Sequence, residues 1–295
     1  MDYVLHIGVL ILLYATLAVS LDLVVGQCGM LSICHAAFFG VGAYVCALGS
    51  VSTTVPSLVL WVGAMWMAAG VSVLVYLPAR RLRGDVLALC TFCVQVVVFS
   101  IFNNWGDLTR GPLGVPGIPM PDFMRDAQKP QLVLLLLSIL VACVTLFVVH
   151  RLVKSPLGRI FRGIREDDVF ALSLGKNPIR SRAAAFGVSA ALAALAGTLY
   201  AHHVAYVDPT SFTVTESIFM LSMVILGGAG SLWGPVVGAA TLVLLPEVLR
   251  FAGLPPVTAA NVRQMVYGLA IVLFMLWRPQ GLIGEYAFGR EAKQK

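Results

Sequence analysis

The sequence predicts an all-α polytopic membrane protein, and three observations carry that prediction. Of its 295 residues, 59% are hydrophobic and only 12% charged, and the mean hydropathy is +0.91. A soluble domain of this size could not cover its surface with so few charges. The apolar residues fall in runs of roughly the 20 residues a helix needs to cross a bilayer. The net charge of +6 gathers in the connections between runs, where it reports orientation rather than nucleic-acid binding.

Taken in order, about nine apolar segments are predicted. They are Tyr3–Val25, Gly26–Gly49, Leu58–Leu77, Val86–Phe102, Leu132–His150, Ala183–Val204, Glu216–Leu226, Pro235–Leu249 and Val262–Trp277. Some are short or glycine-interrupted, which is tolerated where neighbouring protein shields the backbone from lipid. No basic stretch precedes Tyr3, so the first span is expected to act as its own insertion signal and to be retained. Arg80, Arg81 and Arg83 face one local acid, Asp85, and place that loop in the cytoplasm. The loop 103–130 balances its charges, is rich in Gly and Pro, and reads as extracytoplasmic. The basic stretch 151–182 then falls inside, 205–215 outside, and the tail after Trp277 inside. Nine crossings put the N-terminus outside. If Gly26–Gly49 is re-entrant or broken, there are eight and the N-terminus moves inside. A single transmembrane domain, 1–295, accounts for the chain, with no repeat beyond a loose likeness between GQCGMLSICHAAFFGVGAY and GGAGSLWGPVVGAA. Corresponding interrupted helices in two halves point to a transport pathway.

Several chemistries lack their residues. There is no GxxxxGK[ST] phosphate loop, no HExxH, no GxSxG and no metal-spaced histidine set. Neither a catalytic nor a metal-ligating residue is therefore assigned. Cys90 and Cys93 have the spacing of a redox or metal pair, but no second pair accompanies them; all six cysteines read as small apolar fillers. His202 and His203 read as an interfacial polar pair. Asp22, near the end of the first helix, is either a functional intramembrane carboxylate or one that reaches a helix terminus. Glu216 reads as a negative charge at a helix start.

The segment Gly26–Tyr44 sets Gln27, Ser32 and His35 among four glycines, with Phe38, Phe39 and Tyr44 nearby. Glycines at this spacing allow backbones to approach closely, and polar groups at membrane depth must find partners or line a wet cavity. Two readings stand: helix-packing contacts, or the lining of a pathway for an uncharged or zwitterionic solute. On the second, Gln27, Ser32, His35, Phe38 and Tyr44 are the candidate lining.

Residues 151–182 are the charged exception in an apolar chain. Ser155 and Pro156 form a helix start. Arg159, Arg162, Arg165 and Glu166 recur at three- and four-residue spacing on one face, opposite Phe161, Ile164, Val169 and Leu172. Gly175 stops the helix and Pro178 prevents its continuation. The expected object is an amphipathic cytoplasmic helix, suited to a groove in a soluble partner or to the headgroup layer. The triplet Glu166, Asp167 and Asp168 suits anionic lipid poorly and favours the partner.

At these residues the sequence resembles the permease subunits of branched-chain amino acid ABC importers, the M-type more than the H-type. The resemblance is carried by GQCGMLSICHAAFFGVGAY, LRGDVLAL, NNWGDLTRGPLGVPGI, SPLGRIFRGIREDDVFALSLGKN, AALAALAGTLYAHHVAYVDPTSF, VILGGAGSLWGPVVGA and RPQGLIG. It covers nearly the whole chain. It implies a multi-pass protein of the bacterial inner membrane, without an ATPase of its own. A second homologous permease, two ATP-binding cassette ATPases that hydrolyse ATP with Mg, and an extracytoplasmic solute-binding protein would work beside it. Ser155–Asn177 would be the coupling segment, with Ser155, Arg159, Arg165, Glu166, Asp167 and Gly175 at its recognisable positions. The implied solute is a branched-chain or related amino acid. Urea, short amides and aromatic or other organic acids are carried by similar proteins. An ion-coupled secondary transporter would need an intramembrane charge set, and beyond Asp22 and Glu247 the sequence offers little toward one.

Overall fold

The computed structural model describes residues 2–250 except 54, 81, 83, 122, 123, 125–128 and 174, together with 268, 269 and 281–283. Among them, six helices are long and apolar enough to cross a membrane. Helix α1, Asp2–Asp22, runs on through a π-helical turn, Leu23–Gln27. There follow α2 (His35–Ser52), α3 (Ser57–Ala79), α4 (Gly84–Asn104), the single turn α5 (Gly106–Thr109) and α6 (Pro130–Lys154). Next come α7 (Pro156–Glu166), α8 (Asp168–Ser173), α9 (Pro178–Val204), α10 (Val214–Gly227) and α11 (Gly234–Arg250). The last two are the short apolar segments the sequence predicts at 216–226 and 235–249. The segment predicted at Val262–Trp277 lies outside the described residues, apart from Gly268 and Leu269.

Burial sorts these helices. At least half of each apolar window in α1, α2 and α9 is buried, against a third or less in α3, α4 and α6. The first three form the centre, and the others turn rows such as Leu58, Val62 and Trp66, or Leu132, Leu136 and Leu140, outward. In water that exposure would drive aggregation; in lipid it is the expected surface. The central contact of α2 with α9 is made through small residues. A Cβ on Gly42 would run into the backbone of Ala194, and one on Gly197 into the carbonyl of Phe39. Close backbone approach of this kind replaces the hydrophobic drive that lipid does not supply.

At the end of the bundle away from the basic segment, β1 (Val115–Pro116) pairs antiparallel with β2 (Tyr206–Val207). His202 fastens this end. It is buried, its Nδ1 lies 2.9 Å from the carbonyl of Pro119, and its Nε2 accepts from Trp61 Nε1 at 3.3 Å and lies 3.2 Å from Cys46 Sγ. The histidine read from sequence as interfacial thus clamps a loop onto α2 and α3. Its neighbour His203 stacks on His6, with ring centroids 4.6 Å apart.

Candidate functional site

The basic segment folds from its own caps. Ser155 is the N-cap of α7: its Oγ accepts from Leu157 N at 3.2 Å, and Pro156 occupies the first turn. Gly158, Phe161 and Ile164 are buried, while Arg159 and Arg162 point outward. The sequence predicts one helix running to Gly175, and here the structure differs. Asp167 is extended, with φ −154°, and its Oδ1 accepts from Val169 N at 2.7 Å, so it ends α7 and caps α8. Asp168 then turns inward and takes two bonds from Arg182 on α9, at 2.9 and 2.8 Å. A local cap and a tertiary ion pair together break the helix. Gly175 does end α8: its φ is +70°, its N–H reaches Leu172 O at 2.9 Å, and Lys176 N reaches Ala171 O at 3.1 Å. That pattern satisfies the last carbonyls of the helix and needs a left-handed residue. Asn177 restarts the chain as N-cap of α9, its Oδ1 accepting from Ile179 N and Arg180 N.

The six candidate residues of this segment do not share one environment. Arg159, Glu166, Asp167 and Gly175 are exposed and Ser155 is half-buried. Arg165 is half-buried and faces the bundle: its Nη1 donates to the carbonyl of Gly26 at 2.7 Å. Beside it, Gly29 has φ +68°, and a Cβ there would come within 2.7 Å of Arg165 Cγ. A cleft of about 590 Å³ opens next to α8, lined by Arg80, Asp168, Lys176 and Arg182 among others.

The segment Gly26–Tyr44 is built around a break in the helix. Between Gln27 and His35 the backbone is non-helical, so the first N–H groups of α2 open inside an apolar bundle. Side chains accept from Ala36 and Ala37 of α2 and from Ile33 just before it. Ile33 N donates to Thr91 Oγ1 at 3.0 Å, Ala36 N to Ser217 Oγ at 2.9 Å, and Ala37 N to Gln95 Oε1 at 2.8 Å. Gln95 closes the network by donating from Nε2 to Phe212 O at 2.8 Å. None of Thr91, Gln95 and Ser217 was selected from the sequence. The available signal was Gln95 itself, an amide alone in the run CVQVVVF.

The candidate lining residues are spread along this element rather than gathered. His35 is buried and lies 2.9 Å from Ser20 Oγ, and Ser189 Oγ donates to Ser20 O at 2.6 Å. Phe38 meets Phe186 edge-on with centroids 5.5 Å apart. Ser32 borders a cavity of about 10 Å³, near the lower limit for one water. Tyr44 packs on Phe102 and Phe212, and its buried hydroxyl makes no hydrogen bond to the described residues. Gln27 turns to the second glycine-rich segment, donating from Nε2 to Gly230 O at 2.7 Å.

Asp22 completes that contact, its Oδ1 accepting from Gly230 N at 2.8 Å. A side chain on Gly26 would collide with Asp22 and with Gly230 N. The two glycine-rich breaks that share a loose sequence likeness are therefore pressed against each other. Glu216, half-buried on α10, accepts from Tyr14 Oη at 2.6 Å. The intramembrane carboxylates Asp22 and Glu216 are thus both held by bonds to the bundle.

A bundle of apolar helices with internal breaks, carrying one capped, charged segment at its end, is the architecture of a multi-pass membrane protein. Residues 3–275 match the family of the branched-chain amino acid transport system / permease component, and the chain belongs to that family. It is 35% identical to the high-affinity branched-chain amino acid transport system permease protein LivM of Escherichia coli K12, over 94% of this chain and 69% of that protein. LivM of Salmonella typhimurium is 34% identical over the same shares. LivH of E. coli K12 is 26% identical, over 92% of this chain and 91% of LivH. No solved structure matches.

Proposed function

We propose that the chain is the M-type permease subunit of an ABC importer and moves a branched-chain amino acid across the inner membrane by alternating access. The relatives named above supply the solute class. The observation that carries the mechanism is the α7–α8 segment. It exposes Arg159, Glu166 and Asp167 while Arg165 and Arg182 tie it back to the bundle. Asp167 caps α8, but the exposed carboxylate of Glu166 would repel anionic headgroups on a helix docked only on lipid.

On this reading the basic end faces the cytoplasm, the N-terminus lies outside and Val262–Trp277 is the ninth crossing. Residues 1–295 work as one transmembrane domain. A homologous permease stands beside it, and an extracytoplasmic binding protein delivers solute to the end that carries β1 and β2. Two partner ATPases bind and hydrolyse ATP with Mg; this chain contributes no nucleotide site. Their closure displaces α7 and α8, and a bundle with two packings of similar stability shifts between inward and outward access. Gln27, Ser32, His35, Phe38 and Tyr44 would line the path once α2 moves, since their surroundings are closed here.

The test is recovery of the tagged chain from native membranes in mild detergent. Two ATPases and a second permease should come with it. Recovery of the chain with no ATPase contradicts the proposal.

A further inference from the structure

We infer that Arg165 is the positioning residue through which displacement of α7 reaches the two glycine-rich breaks at the heart of the bundle. This rests on the reading of the chain as an importer permease and names the connection that reading requires.

One contact to Gly26, followed by two parallel contacts to Gly230, makes the connection. Arg165 Nη1 holds the carbonyl of Gly26, the last turn of the helix that continues α1. One turn back, Asp22 Oδ1 holds Gly230 N, and Gln27 Nε2 holds Gly230 O from the other side. Gly230 belongs to the turn joining α10 to α11, where Gly228 and Gly230 have φ of +110° and +84°. That turn also carries the chain's later segment, for Leu282 N and Ile283 N donate to the carbonyls of Leu226 and Gly227, each at 2.9 Å. A guanidinium on the exposed segment is therefore one hydrogen bond from the first break, and one further bond, made by either Asp22 or Gln27, reaches the second.

The fit around Arg165 excludes a casual surface contact. Gly29 leaves room for its aliphatic stem only because it lacks a Cβ, and Gly26 can sit between Asp22 and Gly230 only for the same reason. The link also ends on elements able to move. The π-turn at 23–27 is an irregular helix of the type that marks functional sites. Residues 28–34 lack regular helical bonds, and the 227–233 turn is rich in glycine. By contrast, the other tie of the segment, Asp168 to Arg182, ends on α9, a continuous helix of 27 residues. The first tie transmits and the second anchors.

The experiment uses the complete importer in liposomes, with leucine-loaded binding protein. It measures leucine taken up per ATP hydrolysed, and ATP-dependent deuterium exchange over residues 26–33 and 156–166. For R165A the expected result is ATP hydrolysis near the wild-type rate, with uptake per ATP lowered about tenfold, the size of a typical coupling between sites. Exchange at 156–166 should still respond to ATP, and exchange at 26–33 should not. R165K, which keeps a cation and one donor, should recover part of both responses. If R165A does not assemble, R165K and R165Q carry the same two readings. Wild-type uptake per ATP with an unchanged response at 26–33 overturns the inference and leaves the permease reading intact. Loss of hydrolysis and uptake together, unrelieved by R165K, assigns Arg165 a merely structural part and also overturns it. Failure of the wild-type chain to assemble with ATPases overturns both.

Discussion

The amide of Gln95 accepts a hydrogen bond from the backbone N–H of Ala37, 58 residues away in sequence, with 2.8 Å between the heavy atoms. Its other end donates to Phe212 O at 2.8 Å, so one side chain joins the start of α2 to the 3-10 turn Pro209–Phe212 that leads into α10. Helix starts normally face water or a cap. This one opens inside the bundle and borrows its cap from α4.

Removing that amide should be costly. Gln95→Leu leaves the Ala37 N–H only its longer bond to Cys34 O at 3.2 Å and removes the donor to the Phe212 carbonyl, at about 1–3 kcal/mol for a buried orphaned group. Thermal unfolding in detergent should show a lowered midpoint with membrane insertion unchanged. An unaltered midpoint would mean that α2 is capped in some other way.

The α2–α9 contact should tolerate no side chain. Gly197→Ala and Gly42→Ala each place a Cβ against the facing backbone, and overpacking of this kind costs about 1–3 kcal/mol. Both variants should reach the membrane and yield less folded protein by size-exclusion chromatography. Alanine at Gly63, where nothing lies within 4 Å, should behave as wild type.

The anchor of α8 can be weighed by a double-mutant cycle. Asp168 and Arg182 have side chains 7% and 15% exposed. Arg182→Ala removes both guanidinium bonds from a nearly buried carboxylate, which costs about 3 kcal/mol. Limited proteolysis within 166–176 should accelerate, and Asp168→Asn added to Arg182→Ala should restore part of the resistance. Independent, additive effects would contradict a paired role.

Reversing charge on the exposed side of the segment should act on transport alone. Glu166 is exposed and makes no side-chain hydrogen bond or ion pair among the described residues, so Glu166→Lys should insert and fold normally. Uptake should fall about tenfold or more as docking to the ATPase is lost. Normal uptake by this variant would remove Glu166 from the docking surface.

Local signals were legible in the sequence and tertiary ones were not. Ser155 with Pro156, and Gly175 before Pro178, mark helix ends by properties of the residues themselves, and α7 and α8 begin and end there. The break at Asp167 depends on Arg182, fourteen residues past Asp168 and on another helix, and no periodicity reveals it. The apolar runs located α1, α3, α4, α6, α9, α10 and α11 closely. The second run began nine residues early, at Gly26 rather than His35, because the glycines and polar residues before His35 are apolar enough on average to pass for helix. Arg165 has the spacing of its exposed neighbours Arg159 and Arg162, so its inward turn to Gly26 becomes visible only once α1 is in place. The network of Thr91, Gln95 and Ser217 joins three separate helices, and only the isolation of Gln95 among valines hinted at it.

The central claim is that this chain is a solute path driven from outside itself through α7 and α8. It is tested most directly by uptake of radiolabelled leucine into liposomes that hold the purified importer, with binding protein outside and ATP inside. Uptake should require ATP and this chain, and Glu166→Lys should lower it about tenfold or more. Leucine uptake that proceeds without ATP under a sodium or proton gradient would contradict the account.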